Sequence, residues 1–232
     1  MIRRMALVRI LAALLAAFSL DCAAAPFGVQ IGDTRIGLDA PPGFADSMFT
    51  GSPRLQELAE SLTSASNRIL LFALSDADLR RFTSGDPPDF RRYMLVVTPK
   101  GLERERIAPP AFQRLVDDSL RDFGPPPEGG DFTKHLEKQP PGAAALLAEL
   151  RKDPGLVSVL QGTRVPPAKP PGFFGGEEKP QYMLTSTTLM LIRGRALNVS
   201  VHTLYETPAD VNWIRFTTER WIEDLLRLNS AR

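Results

Sequence analysis

The chain of 232 residues has two histidines, the residue type that can act as an acid, a base or a metal ligand near neutral pH. His135 lies between lysines and a glutamate, a composition typical of a solvated helix surface. His202 lies in a segment rich in Thr and Ser, where the Ser200–His202 pair resembles a nucleophile beside its base. A serine hydrolase also needs an orienting acid and oxyanion donors, and the sequence has no Gly-x-Ser-x-Gly motif. A hydrolase that uses His202 is therefore the alternative function, and we expect the protein not to be an enzyme.

Motifs for metals and cofactors are missing from the sequence. There is one cysteine and no His/Cys cluster for zinc, no Asp-x-Asp-x-Asp-Gly loop for calcium, and no glycine-rich phosphate loop after a strand. The adjacent carboxylates Asp117 and Asp118 have Arg121 and Arg114 one helical turn away, so surface ion pairs explain them. We expect no metal and no cofactor.

The N-terminal residues have the three parts of a signal peptide. Three arginines precede an apolar run from Ile10 to Leu20, and small residues follow at 23–25. The run has 11 residues, whereas a membrane-spanning helix needs about 20, so an uncleaved anchor is the less favoured alternative. Asp21 before Cys22 does not fit a lipoprotein signal. We predict Sec-type export with cleavage after Ala24, and a periplasmic or secreted protein.

The chain that remains, residues 25–232, has the composition of one globular domain. It carries 25 basic and 26 acidic residues, a net charge of about −1. A neutral balance of this kind gives no basic surface for nucleic acid or anionic lipid. The only cysteine leaves with the signal peptide, so core packing rather than a disulfide must stabilise the fold.

The hydrophobic pattern predicts an α+β domain, a single-domain sandwich of a mainly antiparallel sheet with helices packed on it. Unbroken apolar runs at 69–74 and 93–97 are typical of central strands that are covered on both faces. Apolar spacing of three and four residues from Pro208 predicts a closing amphipathic helix that packs through Trp221. Further strands are predicted at 35–38 and 156–160, and helices from Pro53, from Ser75, and at 109–123, 131–139 and 142–151.

Two long strands, 181–192 and 195–205, are predicted to form a hairpin around Arg193 and Gly194. In the register set by a two-residue turn, one surface is mainly apolar and includes Met190 opposite Leu197. The other surface is polar. It pairs Leu189 with Asn198, Thr187 with Ser200 and Thr185 with His202.

A resemblance to a known fold follows from these elements. An early strand into the Pro-Pro-Gly-Phe turn at 41–44, the late Thr-rich hairpin and the closing helix resemble the PsbP-like, Mog-type α/β sandwich. The resemblance covers roughly 26–98 and 181–228 by element order. It implies a fold that serves mostly as a binding or assembly module, as in several exported bacterial proteins of unassigned function.

Two surfaces are therefore candidates for binding an envelope protein or a small ligand. One is a Pro/Gly-rich loop at 163–180, whose adjacent Phe173 and Phe174 form either a finger for a partner or a pin that tucks into the domain. The other is the polar side of the hairpin. Its candidate residues are Thr185, Thr187, Asn198, Ser200 and His202.

Overall fold

A computed structural model describes residues 26–127, 132–166 and 180–230 of the chain. Within these ranges there are nine strands and five α-helices. The strands are β1 Phe27–Ile31, β2 Thr34–Leu38, β3 Phe44–Asp46, β4 Asn67–Ser75, β5 Arg92–Pro99, β6 Ala144–Asp153, β7 Leu156–Arg164, β8 Tyr182–Ile192 and β9 Arg195–Tyr205. The helices are α1 Pro53–Ser61, α2 Asp76–Thr83, α3 Pro109–Leu120, α4 Phe132–Glu137 and α5 Pro208–Asn229.

Seven of the strands form one antiparallel sheet in the order β3-β4-β5-β9-β8-β7-β6, and β1 and β2 form a separate hairpin. The predicted α+β class, with a mainly antiparallel sheet, packed helices and a closing helix, is confirmed. No helix in the described ranges is both long enough and apolar enough to cross a membrane.

The β8–β9 hairpin has the predicted register. Thr185 pairs with His202 and Leu189 pairs with Asn198, as a two-residue turn requires. Both turn residues are left-handed, with φ 51° at Arg193 and 79° at Gly194. Two consecutive positive φ values match the right-handed twist of the strands, so the local sequence alone fixes the pairing.

Helix α5 covers one face of the sheet. Ile214, Trp221 and Leu225 are buried in a cluster that includes Met94 and Val201 from the two central strands below. The indole nitrogen of Trp221 donates to the carbonyl of Asp39 at 2.8 Å. At the end of the helix, the Asn229 amide exchanges two 2.8 Å hydrogen bonds with the backbone of Gly37 in β2. The helix therefore joins the sheet to the N-terminal hairpin.

Two helices, α1 and α3, pack on the opposite face. Leu55 and Ala59 of α1 pack on Phe72 and Leu95 of β4 and β5. Phe112 and Val116 of α3 pack on β7 and β8 through Val157, Val159 and Leu189. Residues 70–74 and 93–97 are buried, which confirms these strands as central and covered on both faces.

The helix predicted at 142–151 is wrong, because these residues form the edge strand β6. Alanine, leucine and glutamate favour a helix, but Ala145 and Leu147 are buried in alternation with less buried neighbours, and the segment pairs with β7 from Leu156 to Thr163. Pairing with a long neighbouring strand outweighs the intrinsic preference. The helix predicted at 131–139 is shorter, at Phe132–Glu137. Strand β7 also runs on through Thr163 and Arg164, the first two residues of the predicted loop.

Candidate functional site

His202 is held by two hydroxyl groups on the face of the sheet that carries α1 and α3. Its Nδ1 atom lies 3.1 Å from Oγ1 of Thr185, across the hairpin, and its Nε2 atom lies 3.0 Å from Oγ of Ser200, two residues back on β9. Three of the predicted binding residues thus form one connected group. The hairpin register brings Thr185 opposite His202, and the two-residue repeat of a strand puts Ser200 on the same face.

Tyr93 of β5 stacks on the other side of the imidazole. The two ring centres are 4.3 Å apart and the planes differ by 7°. Burial lowers the pKa of His202 to about 3, because the charged form would lose its hydration. Burial likewise raises the pKa of Tyr93 to about 12. Both rings are therefore neutral across the physiological range, and the histidine has one N–H donor and one acceptor for its two hydroxyl partners.

The Ser200–His202 contact lacks the rest of a hydrolytic site. Among the described residues, no carboxylate forms an ion pair or a hydrogen bond with His202. A base with a pKa near 3 is also a weak proton acceptor at neutral pH. The backbone N–H groups of β9 belong to a strand that is paired on both sides, so they are not free to form an oxyanion hole. The hydrolase alternative rests on this one contact.

Thr187 extends the polar group toward β7. Its hydroxyl donates to Oε1 of Gln161 at 3.3 Å. We refer to Thr185, Thr187, Ser200, His202 and Gln161 as the polar strip. Neither Gln161 nor Tyr93 was expected at the site, since each comes from a strand whose pairing with the hairpin no local pattern indicates.

Asn198 belongs to a different environment from the polar strip. Its side-chain oxygen is buried and has no hydrogen-bond partner among the residues that the structure describes. The residue lies at the wall of a cleft of about 230 Å³ between the sheet and α3, which we call the Asn198 cleft. The cleft is mainly apolar. Its other lining residues are Asn67, Pro99, Leu102, Phe112, Leu115, Ser119, Leu189, Ala196 and Leu197.

The predicted binding residues thus divide into three groups. Four of them lie in the polar strip, and Asn198 lines the cleft. Phe173 and Phe174 lie outside the described residues. Within the described ranges, no group of three or more His, Cys, Asp or Glu side chains is placed to hold a metal ion.

No protein-family model matches the sequence, and no curated protein matches it. Two solved structures are similar in fold. One is the Saccharomyces cerevisiae Ran-binding protein Mog1p, with 13% sequence identity and a TM-score of 0.39. The other is a point mutant of the protein Mog1, with 13% identity and a TM-score of 0.38. Each match covers 88% of this chain and 94% of the solved one. The likeness is to a distant α/β fold. It does not point specifically to the PsbP-like fold that the sequence suggested.

Proposed function

We propose that the protein is an exported, non-enzymatic binding module of the cell envelope, and that the Asn198 cleft, with the polar strip beside it, receives its ligand. The ligand is a small molecule or a single side chain of an envelope protein. In either form it presents a flat apolar body with one N–H or O–H donor.

The unpaired oxygen of Asn198 is the observation that carries this proposal. A buried acceptor without a partner lowers the free energy of unfolding of the free protein by about 1–3 kcal/mol. A ligand donor that reached this oxygen would recover that energy on binding. The neighbouring lining, with Phe112, Leu115 and Leu189, supplies apolar contact for the rest of the ligand. A few fixed polar groups in an apolar wall are the usual composition of a ligand site.

The polar strip supports binding rather than proton transfer. Both nitrogens of His202 are already engaged, and its low pKa keeps the ring neutral. A neutral, hydrogen-bonded ring stacked on Tyr93 is a fixed surface with constant charge. The charge of the ring does not change across the physiological pH range, so its hydrogen bonds to Thr185 and Ser200 stay the same.

The proposal is tested with two probes of equal shape, indole and benzofuran, which differ in one N–H donor. Isothermal titration calorimetry should show tighter binding of indole to the wild-type protein. The Asn198→Leu variant should lose the preference, because it has no acceptor. Asn67→Leu is the matched control, since Asn67 lines the same cleft but its amide already donates to Thr63 at 3.1 Å. Equal affinity of both probes for the wild type would overturn the proposal.

The hydrolase alternative is tested with a fluorophosphonate probe, which reacts with activated serines. We expect no labelling of the wild type beyond that of Ser200→Ala. Labelling that depends on both Ser200 and His202 would favour the alternative.

Export is tested by measuring the intact mass of the protein recovered from the periplasm or the medium. We expect a chain that begins at Ala25, because the basic, apolar and small-residue regions of the N-terminus occur in signal-peptide order. A mass that includes Met1 to Ala24 would contradict this part of the proposal.

A further inference from the structure

A second and larger cleft lies on the opposite side of the sheet, between α5 and the edge strand β6. Its volume is about 460 Å³. One wall is formed by Glu149, Leu150 and Arg151 of β6, and Ser158 of β7 lies beside them. The other wall is formed by α5. Its lining residues are Arg215, Thr218, Glu219, Ile222 and Glu223.

Buried hydroxyl groups form the inner end of this second cleft. Oγ of Ser158 lies 2.8 Å from Oγ1 of Thr188, and Oγ of Ser186 lies 2.5 Å from Oγ1 of Thr218. All four residues are at most 2% exposed. These four hydroxyls are polar groups within an otherwise apolar interface.

Each hydroxyl pair has one donor that is not used within the pair. Two hydroxyls carry two hydrogens, and a single oxygen–oxygen contact uses one of them. Among the described residues, neither pair has a further hydrogen-bond partner. A buried donor without an acceptor is costly, and Ser158 and Thr218 line the cleft. Ser158 is 0% exposed and Thr218 is 2% exposed, so an acceptor atom of a ligand at the inner end would reach the Thr218 hydroxyl.

The charged groups of the second cleft are of both signs. Arg151 is already held by Glu223 at 2.5 Å and by Asp153 at 2.6 Å. By contrast, Arg215, Glu149 and Glu219 form no ion pair with any other residue in the described ranges. The cleft therefore presents one available cation, two available carboxylates and the hydroxyl donors.

We propose that the second cleft binds a small zwitterion, namely an amino acid or a short peptide with free termini. The ligand carboxylate accepts from the Thr218 hydroxyl and from Arg215, and the ligand ammonium group donates to Glu149 or Glu219. The lining has three glutamates against two arginines, which disfavours a simple anion such as phosphate. It has no aromatic residue on which a sugar ring would stack.

The test is a titration of the purified protein with alanyl-alanine, its N-acetylated form, its C-terminal amide, maltose and inorganic phosphate. We expect the free dipeptide to bind at least about tenfold more tightly than either blocked form, because each block removes one charge-assisted hydrogen bond. Maltose and phosphate should not compete. Binding of maltose or phosphate ahead of the dipeptide, equal binding of all five probes, or no binding of the dipeptide would overturn the proposal.

Variants locate the site. Arg215→Gln and Thr218→Val should each weaken dipeptide binding by about tenfold or more. Arg220→Gln is the matched control, because Arg220 is exposed on the same helix and does not line the cleft. Asn198→Leu should leave dipeptide binding unchanged, which separates this site from the Asn198 cleft. Unaltered affinity in both Arg215→Gln and Thr218→Val would place the dipeptide elsewhere and refute the assignment.

Discussion

Replacing Asn198 with leucine should make the protein more stable, although the residue lies in the middle of a long strand. Most substitutions of partly buried residues destabilise a protein. The expected gain comes from the buried side-chain oxygen, which has no hydrogen-bond partner within the described part of the chain. An apolar side chain of similar shape removes that oxygen and leaves the strand pairing with Leu189 and Val97 intact.

The magnitude follows from the cost of an unpaired acceptor, about 1–3 kcal/mol. Leucine also contacts an apolar lining that includes Phe112 and Leu115, and it has a higher strand preference than asparagine. The substitution also removes the amide nitrogen of Asn198 and its contact with solvent, which offsets part of the gain. We expect a net gain of about 1–2 kcal/mol in the free energy of unfolding. For a domain of this size that corresponds to a rise in Tm of roughly 2–8 °C.

Urea unfolding followed by tryptophan fluorescence measures this gain, with an unchanged slope as the check on two-state behaviour. Asn67→Leu provides the comparison within the same cleft. That variant breaks the hydrogen bond to Thr63 and should lose about 0.5–1.5 kcal/mol. If Asn198→Leu lost more than about 1 kcal/mol, the oxygen would be satisfied in solution and the reasoning from its burial would fail.

Three further predictions concern the rest of the fold. Trp221→Ala should lower the free energy of unfolding by about 3–5 kcal/mol, because the indole is 2% exposed and donates to the Asp39 carbonyl. A loss below about 1 kcal/mol in denaturant melts would show that α5 is peripheral to the core. Burial lowers the pKa of His202 from 6.5 to about 3 in the folded protein. As the pH falls below 6.5, the unfolded chain therefore binds a proton at His202 before the folded protein does. The free energy of unfolding that is present above pH 6.5 is lost as the pH falls toward 3. His202→Gln should flatten that dependence between pH 6.5 and 5, and an NMR titration of His202 with a midpoint above pH 5 would refute the shift. Arg195→Lys should lower the free energy of unfolding by at least about 2 kcal/mol in thermal melts. The buried guanidinium donates to two backbone carbonyls and two side chains, and one ammonium group cannot reach all four. An unchanged stability would show that these hydrogen bonds contribute little.

The sequence predicted best those features that depend on neighbours along the chain. The β8–β9 register follows from Arg193-Gly194, and α5 follows from a capping box at Thr207 and Asp210 with a regular apolar repeat. Strand β6 was mistaken for a helix because its pairing with β7 outweighs the helical preference of residues 142–151.

The parts of the candidate site that the sequence did not predict depend on contacts between distant segments. Tyr93 reaches His202 only because β5 pairs with β9, and no periodicity indicates which strands are neighbours. The Asn198 cleft exists because α3 packs beside the hairpin, with Phe112 and Leu115 at its wall. The sequence identified Asn198 as a polar strand residue, but it contains no sign that the amide oxygen lacks a partner.

The paired hydrogen bonds between Gly37 and Asn229 bear on the order in which the chain can fold. The two residues are 192 positions apart, so strand β2 has no partner for its Gly37 backbone groups until nearly the whole chain has been synthesised. Arg195 ties the same N-terminal hairpin through Asp33 and Thr34, 162 and 161 positions away. Contacts this remote in sequence make folding slow relative to chains with local contacts. Docking of the β1–β2 hairpin on the domain therefore waits until α5 has been synthesised, although the hairpin itself pairs locally.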